Sequence, residues 1–355
     1  MNQKKDISGI TCLRALACFL VVLCHSHSFA SKISTPNLSF FAEYSDQLGT
    51  IGVEVFFMIS GILMFSMHGN DFGRGMSLDF LKKRLIRVVP MYYLATAITA
   101  IAFFVNPSWF SSTQIAMKDV LYSMLFLPSY YLKESDSLVP VLGVGWTLCF
   151  EMLFYTIFTV GLALNKTRGL ALIFSSILIL VLVGLVKEMK HDTLIYFFSN
   201  NITIFFLIGI LMEPVYTKGI NINRNLKAAI LLCSLLIDIY AKNKIINLVF
   251  LPVFFIFALD LLRNLKVKKS LVYTLAISSY STYLFHRLIM GAINSVSKHI
   301  PILSKLPHEV YGLILISLSL LIGYAIYLLI ESRIAKIIKY FSNRKSEILT
   351  NMSVG

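Results

Sequence analysis

The sequence predicts an all-α fold, a polytopic membrane helix bundle with about ten transmembrane helices, and three observations carry that prediction. Of 355 residues, 57% are hydrophobic and only 14% charged, whereas soluble chains average about 25% charged residues. A soluble protein of this composition would expose more apolar surface than solubility permits. Apolar runs of about 20 residues, long enough to cross a bilayer as helices, recur from one end of the chain to the other. The third observation is how the net charge of +14 is distributed between the loops.

In chain order the runs lie at Gly9–Phe29, Thr50–Ser66, Val88–Val105, Leu142–Leu164, Gly169–Val186, Asn201–Tyr216, Leu226–Tyr240, Ile245–Leu262, Leu271–Val296 and Val310–Ile330. The first follows Lys4-Lys5 but carries Arg14 and outruns a signal-peptide core, so it reads as a span despite a weak cleavage-like Ser28-Phe29-Ala30. With the N-terminus inside, inner segments hold 21 basic residues, counting Lys227 at the inner edge of the seventh run, and outer segments 9. The richest inner clusters are Lys82-Lys83-Arg84 with Arg87, and Arg263 with Lys266, Lys268 and Lys269. The positive-inside rule then predicts both termini in the cytoplasm, and the chain is expected in the inner (plasma) membrane of the cell. The charge is a topology signal. Nucleic-acid binding would need a basic face on a soluble fold, and no stretch between spans is long enough to build one. The longest connection, Asn106 to Val141, contains a half-apolar stretch, Ile115–Tyr131, that reads as an interfacial or re-entrant helix. Cys12, Cys18, Cys24, Cys149 and Cys233 lack metal or redox spacing and read as small packing residues. No repeat or low-complexity tract interrupts the pattern, so residues 1–355 read as one integral membrane domain with no appended soluble domain.

Ionisable groups inside spans are costly and are functional candidates by default. Arg14 and His25 are eleven residues apart, about three turns or roughly 16 Å along nearly one helix face. Glu54 sits near the outer end of the second span. Trp146 and Glu151 lie in the outer half of the fourth, and His286 and Arg287 beyond the midpoint of the ninth. Acids and bases buried together can simply hold a bundle in register. Their shared depth instead favours a polar cavity. A histidine beside carboxylates is suited to deprotonating an alcohol, with an acid fixing the tautomer and steadying the imidazolium.

Arg84 and Arg87, three apart, project from one side of a helix. Forked guanidiniums suit phosphate oxygens, and Tyr92 or Tyr93 nearby would stack on a nucleobase. The plainer reading of this cluster is an anchor on anionic lipid. No GxxxxGKS, HExxH or GxSxG sequence occurs, leaving nucleotide hydrolysis, zinc proteolysis and hydrolase-type acylation without a motif.

Five segments, in order, resemble the motifs of the acyltransferase-3 family of membrane O-acyltransferases, which modify O-antigen, capsule and exopolysaccharide. They are Arg14 with ten intervening positions and His25; Phe56-Phe57-Met58-Ile59-Ser60-Gly61 preceded by Glu54; Arg84-Leu85-Ile86-Arg87 with Pro90 and Tyr92; Trp146-Thr147-Leu148 with Glu151 and Tyr155; and Ser279-Tyr280-Ser281 with Tyr283-Leu284 and His286. The resemblance covers nearly the whole chain. One departure is Thr11, where many members carry Asp or Gln.

The resemblance implies transfer of an acyl group, usually acetyl, from cytoplasmic acyl-CoA to a carbohydrate hydroxyl. It also implies that Arg14 and His25 are essential and that the Arg84/Arg87 element serves the donor. On that basis His25, Glu54 and Glu151 are expected to be catalytic, with either acid orienting the imidazole. Arg14, Arg84, Arg87 and Tyr92 are expected to bind acetyl-CoA, the cosubstrate, and Trp146 and His286 the acceptor, a polysaccharide or lipid-linked repeat unit. No metal is expected. Relatives with an extra soluble domain use it to help deliver acyl groups; without one, the membrane domain would act alone or with a separate partner. A homo-oligomer is compatible with the sequence. The competing reading is a transporter or flippase for a lipid-linked sugar or small solute, since mid-membrane charges would suit that too. A carrier, however, has no need for Arg84 and Arg87 beneath the Arg14–His25 stripe.

Overall fold

A computed structural model of the chain describes residues 8–33, 40–106, 115–132, 137–185, 193–241 and 243–338. Its elements are α1 (Ser8–Ala30), α2 (Phe40–His68), α3 (Ser77–Val105), α4 (Met117–Met124), β1 (Tyr130–Leu132), β2 (Ser137–Val139), α5 (Trp146–Ala163), α6 (Lys166–Gly184), α7 (Leu194–Phe198), α8 (Ile204–Lys218), α9 (Arg224–Ala241), α10 (Lys244–Leu261), α11 (Leu271–Ser297), α12 (Pro301–Ser304) and α13 (His308–Ile326). Each of the ten expected spans falls on a helix. Among the described residues, eight helices are long and apolar enough to cross a membrane, and α9 and α11 are outside that set. The fold is a polytopic helical bundle with one two-stranded hairpin.

Several helices outrun their apolar stretches. A hydropathy pattern ends at the first charges, but backbone hydrogen bonding does not. Thus α2 begins ten residues before the expected span, and α3 begins at Ser77, putting Arg84 and Arg87 on the helix itself. The half-apolar stretch after Asn106 forms α4, two turns long. Its first turn is capped by Asp119, which accepts from the Ala116 amide at 2.9 Å and from Ser129 Oγ at 2.8 Å. The β1/β2 hairpin follows, pairing Tyr130 with Val139.

Lipid-facing and protein-facing sides are legible in single helices. The buried residues of α6 are Gly169, Ile173 and Ile177, one stripe at four-residue spacing, while Leu178, Ile179 and Leu182 are exposed. Packing is tightest where small residues let backbones approach. A Cβ on Gly52 would lie 2.7 Å from the Ala17 carbonyl oxygen, joining α2 to α1. Gly61 and Gly209 form a reciprocal crossing of α2 and α8, where a Cβ on either would lie 2.2 Å from a carbonyl oxygen of the other helix, Phe206 or Met58. Helix α1 also packs on α11 and α13, and α3 on α5. The result is a frame of α1, α2, α3, α5 and α11 around one cavity. The cysteines are all free, with Cys18 and Cys149 buried among hydrophobic side chains and Cys233 exposed.

Candidate active site

One cavity, about 810 Å³ counted out to its open mouth, collects all five motif segments. Arg14 comes from α1, Phe56 and Ser60 from α2, and Arg84 and Arg87 from α3. Thr147, Glu151 and Tyr155 come from α5, and Ser279, Tyr280 and Tyr283 from α11. The axial order follows from helix direction. Towards one end lie Met64, Arg84 and Tyr155; towards the other lie Val53, Phe56, Thr147 and Tyr283.

The first end is cationic. Arg84 is 5% exposed, and its Nε finds no hydrogen-bond partner among the described residues. Its guanidinium instead lies over the rings of Phe80, at 5.4 Å, and Tyr155, at 5.9 Å. Among the described residues, none of Arg14, Arg84 or Arg87 forms an ion pair with a carboxylate. A buried guanidinium such as that of Arg84, with no carboxylate in direct contact, is suited to receive an anion. Glu151 accepts a hydrogen bond from the Tyr155 hydroxyl one turn along α5.

The second end is lined by hydroxyls and rings. Tyr283 Oη and Thr147 Oγ1 pair at 2.7 Å, and both reach the Val144 carbonyl oxygen, at 3.2 and 3.1 Å. The Phe56 ring meets Tyr283 edge-on at 6.0 Å.

Next to this end stands a histidine pair, the His286 ring 6.0 Å from that of Tyr283. His286 Nε2 lies 3.2 Å from His25 Nδ1, with the rings T-shaped at 4.9 Å. The tautomers follow from their other partners. His286 Nδ1 faces the carbonyl oxygens of Tyr283, at 2.8 Å, and Thr282, at 3.2 Å. Carbonyls only accept, so Nδ1 carries the hydrogen and Nε2 presents its lone pair to His25. His25 Nδ1 also faces the Val21 carbonyl at 2.9 Å, so it donates, shared between that oxygen and His286. His25 Nε2 is left with its lone pair, the nitrogen a general base uses. A second pair lies near the same end of α1, where His308 Nε2 meets His27 Nδ1 at 2.8 Å.

The expected site residues divide. His25 and His286 meet, and Arg14, Arg84, Arg87 and Glu151 share the cavity. Tyr92 stands apart from the cavity lining: fully buried, it donates to the Ser123 carbonyl at 2.9 Å and stacks on Phe126 at 4.5 Å, tying α3 to the chain after α4. Trp146, half-buried at the start of α5, packs edge-on against Phe150. Arg287 is exposed, its guanidinium alongside Gly143.

Glu54 points away from the histidines. Asn247 Nδ2 donates to its Oε2 at 3.0 Å and to Asp238 Oδ2 at 3.5 Å, and Gln47 donates to the Asp238 carbonyl. Glu151 lies level with the arginines, not with His25. The turn Gly143–Gly145 carries the chain into the bundle, so α5 starts at the depth of Tyr283, and a residue one turn on falls beside Tyr280. Two acids missed in the sequence belong to these networks. Asp238 interrupts an apolar run and was detectable as such. Glu331 follows the last run; a single π turn, Tyr327–Glu331, brings it to Ser281, whose hydroxyl donates to it.

A family model described as an acyltransferase domain matches residues 7–328. The chain belongs to the acyltransferase-3 family. As an acyltransferase it is an enzyme with an acyl donor, and the carrier reading yields to that membership. It is 29% identical over 293 residues to the exopolysaccharide production protein ExoZ of Rhizobium meliloti (strain 1021), covering 80% of this chain and 89% of that protein. No solved structure matches the acyltransferase.

Proposed function

We propose that this acyltransferase moves an acetyl group from acetyl-CoA, bound on the cytoplasmic side of the inner membrane, to a hydroxyl of an exopolysaccharide or its lipid-linked precursor. The observation that carries the reading is one cavity with guanidiniums at one end that form no carboxylate ion pair among the described residues, and an imidazole with a free lone pair next to the other. The similarity to an exopolysaccharide production protein supports the acceptor class.

In this reading Arg84 and Arg87 hold the phosphates of CoA, and the pantetheine arm runs past Arg14. The roughly 16 Å from Arg14 to His25 is comparable with the length of that arm. Trp146, next to the lining residue Thr147, is assigned to the acceptor. The acceptor hydroxyl gives its proton to His25 Nε2 as its oxygen attacks the thioester carbonyl. The carbon–sulfur bond breaks on collapse of the tetrahedral adduct, and the departing thiolate takes the proton from the imidazolium, leaving an ester and free CoA. The orienting task expected of Glu54 or Glu151 falls to the Val21 carbonyl and His286, which hold His25 Nδ1–H and leave Nε2 free.

Purified protein with acetyl-CoA and an exopolysaccharide fraction tests this. His25→Ala is expected to lower acetyl transfer by about 10²–10⁴-fold, the usual worth of a general base. Transfer at the wild-type rate by that variant would sink the mechanism.

A further inference from the structure

Arg287 is a charged residue within an expected span that the reaction above leaves without a task. It follows His286 on α11, about 100° further round the helix. His286 turns toward His25, whereas Arg287 turns toward the chain entering α5, where a Cβ on Gly143 would lie 2.9 Å from its Nη1. A glycine there leaves the guanidinium its place. Both histidines are within electrostatic reach of this cation. Among the described residues it forms neither an ion pair nor a hydrogen bond. An unpaired arginine is ordinary on a wet surface, but inside a span it is costly and faces the bundle interior or a water-filled cavity. Residues 140–142, which lead into the Gly143–Gly145 turn beside it, are irregular backbone, accepted at membrane depth only where it is buried in protein or lines water. Arg287 is exposed, so its open side is an aqueous cleft next to the histidine pair.

We propose that Arg287, seated against Gly143, recognises an anionic group on the acceptor, so that the sugar unit acylated carries a carboxylate or a linker phosphate close to the reacting hydroxyl. The inference rests on the acyl-transfer reading above and adds the chemical class of the acceptor. The donor has its own cations, because Arg14, Arg84 and Arg87 line the cavity and Arg287 stands outside that lining. A guanidinium offers a carboxylate or phosphate two parallel N–H donors, which fixes orientation as well as charge. The same turn leads into Trp146, so one segment supports both acceptor contacts.

The test is the initial rate of acetyl transfer by the full-length protein in detergent. The acceptors are the exopolysaccharide fraction and the lipid-linked sugar extract of the producing cells. Each is used native and neutralised, the first by carboxyl reduction and the second by hydrolysis of the linker phosphates. Wild type is expected to lose about 10- to 100-fold in kcat/KM on neutralisation, the worth of a hydrogen bond to a charged group. The fraction that responds tells carboxylate from phosphate. Arg287→Gln is expected to show that loss already with the native acceptor and no further loss with the neutralised one, at unchanged KM for acetyl-CoA. Gly143→Ala, which pushes the guanidinium aside without removing it, is expected to raise the acceptor KM too, and answers if the glutamine variant does not fold. Equal use of native and neutralised acceptors by wild type, or an Arg287→Gln loss that is absent or the same on both forms, overturns the anion subsite. Absence of transfer by wild type to every fraction instead overturns the acyl-transfer reading on which it rests.

Discussion

At the scale of single residues, the proposed chemistry comes down to where two hydrogens sit. His25 is useful only if Nε2 is free, and Nε2 is free because Val21 and His286 accept the Nδ1–H. His286 in turn can accept because the Tyr283 and Thr282 carbonyls hold its own proton. A neutral imidazole thus occupies the orienting place that a carboxylate fills in many triads. His286→Ala is expected to lower kcat by about 10²-fold at little change in KM for the donor, because the base loses its orienter while the arginines keep the donor. A rise in KM with kcat unchanged, measured by initial rates against acetyl-CoA, would place His286 in binding instead. Arg84→Ala combined with Arg87→Ala is expected to abolish the thermal stabilisation by CoA, since the phosphates then lose their forked partners. Retained stabilisation would move the donor elsewhere.

At the scale of elements, the site exists because five helices approach closely, and glycines decide how closely. The Gly61–Gly209 crossing seats α2 against α8, and α2 carries Phe56 and Ser60 into the cavity from its opposite side. Gly209→Leu is expected to cost about 1–3 kcal/mol, the range for overpacking a filled interior, and to lower the unfolding midpoint. An unchanged midpoint would mean that the crossing is looser than its geometry indicates. The π turn after α13 acts on the same scale. One extra residue in the turn brings Glu331 to Ser281, between the motif tyrosines of α11 and the last helix. Such turns recur at functional sites. Element positions also explain what sequence reading mislocated. Counting residues from the expected membrane face put Glu151 at the depth of His25. The chain, however, enters the bundle before α5 begins, so the carboxylate lies one level lower with the arginines.

At the scale of the whole molecule, the proposed reaction requires the arginine end of the cavity to face the cytoplasm, where acyl-CoA is made. The excess of basic residues in the segments on that side supports this orientation. A reporter fused after Gly355 is expected to be active only if it is a cytoplasm-dependent one, and a reporter that requires export is expected to be silent there. The opposite pattern would invert the bundle and separate the donor site from its donor. Mass spectrometry of surface glycans from cells with and without the protein would name the acceptor, with a gain of 42 Da per site as the approximate mark of acetyl.

The sequence by itself determined the helical membrane fold, the approximate position of each helix and the membership of the motifs in one site. Those properties depend on local composition and on the cost of placing charge in hydrocarbon, both of which are written along the chain. It also singled out His25, Arg14, Arg84 and Arg87. The tertiary structure decided the partners. That Glu54 joins Asn247 and Asp238, that Tyr92 braces α3, and that His286 stands beside His25 depend on helix tilt, offset and close crossings set by contacts between residues far apart in the chain. Depth alone placed ionisable groups from four helices together, and the tertiary structure sorted them into a histidine pair, a cationic cavity and a separate amide–carboxylate network.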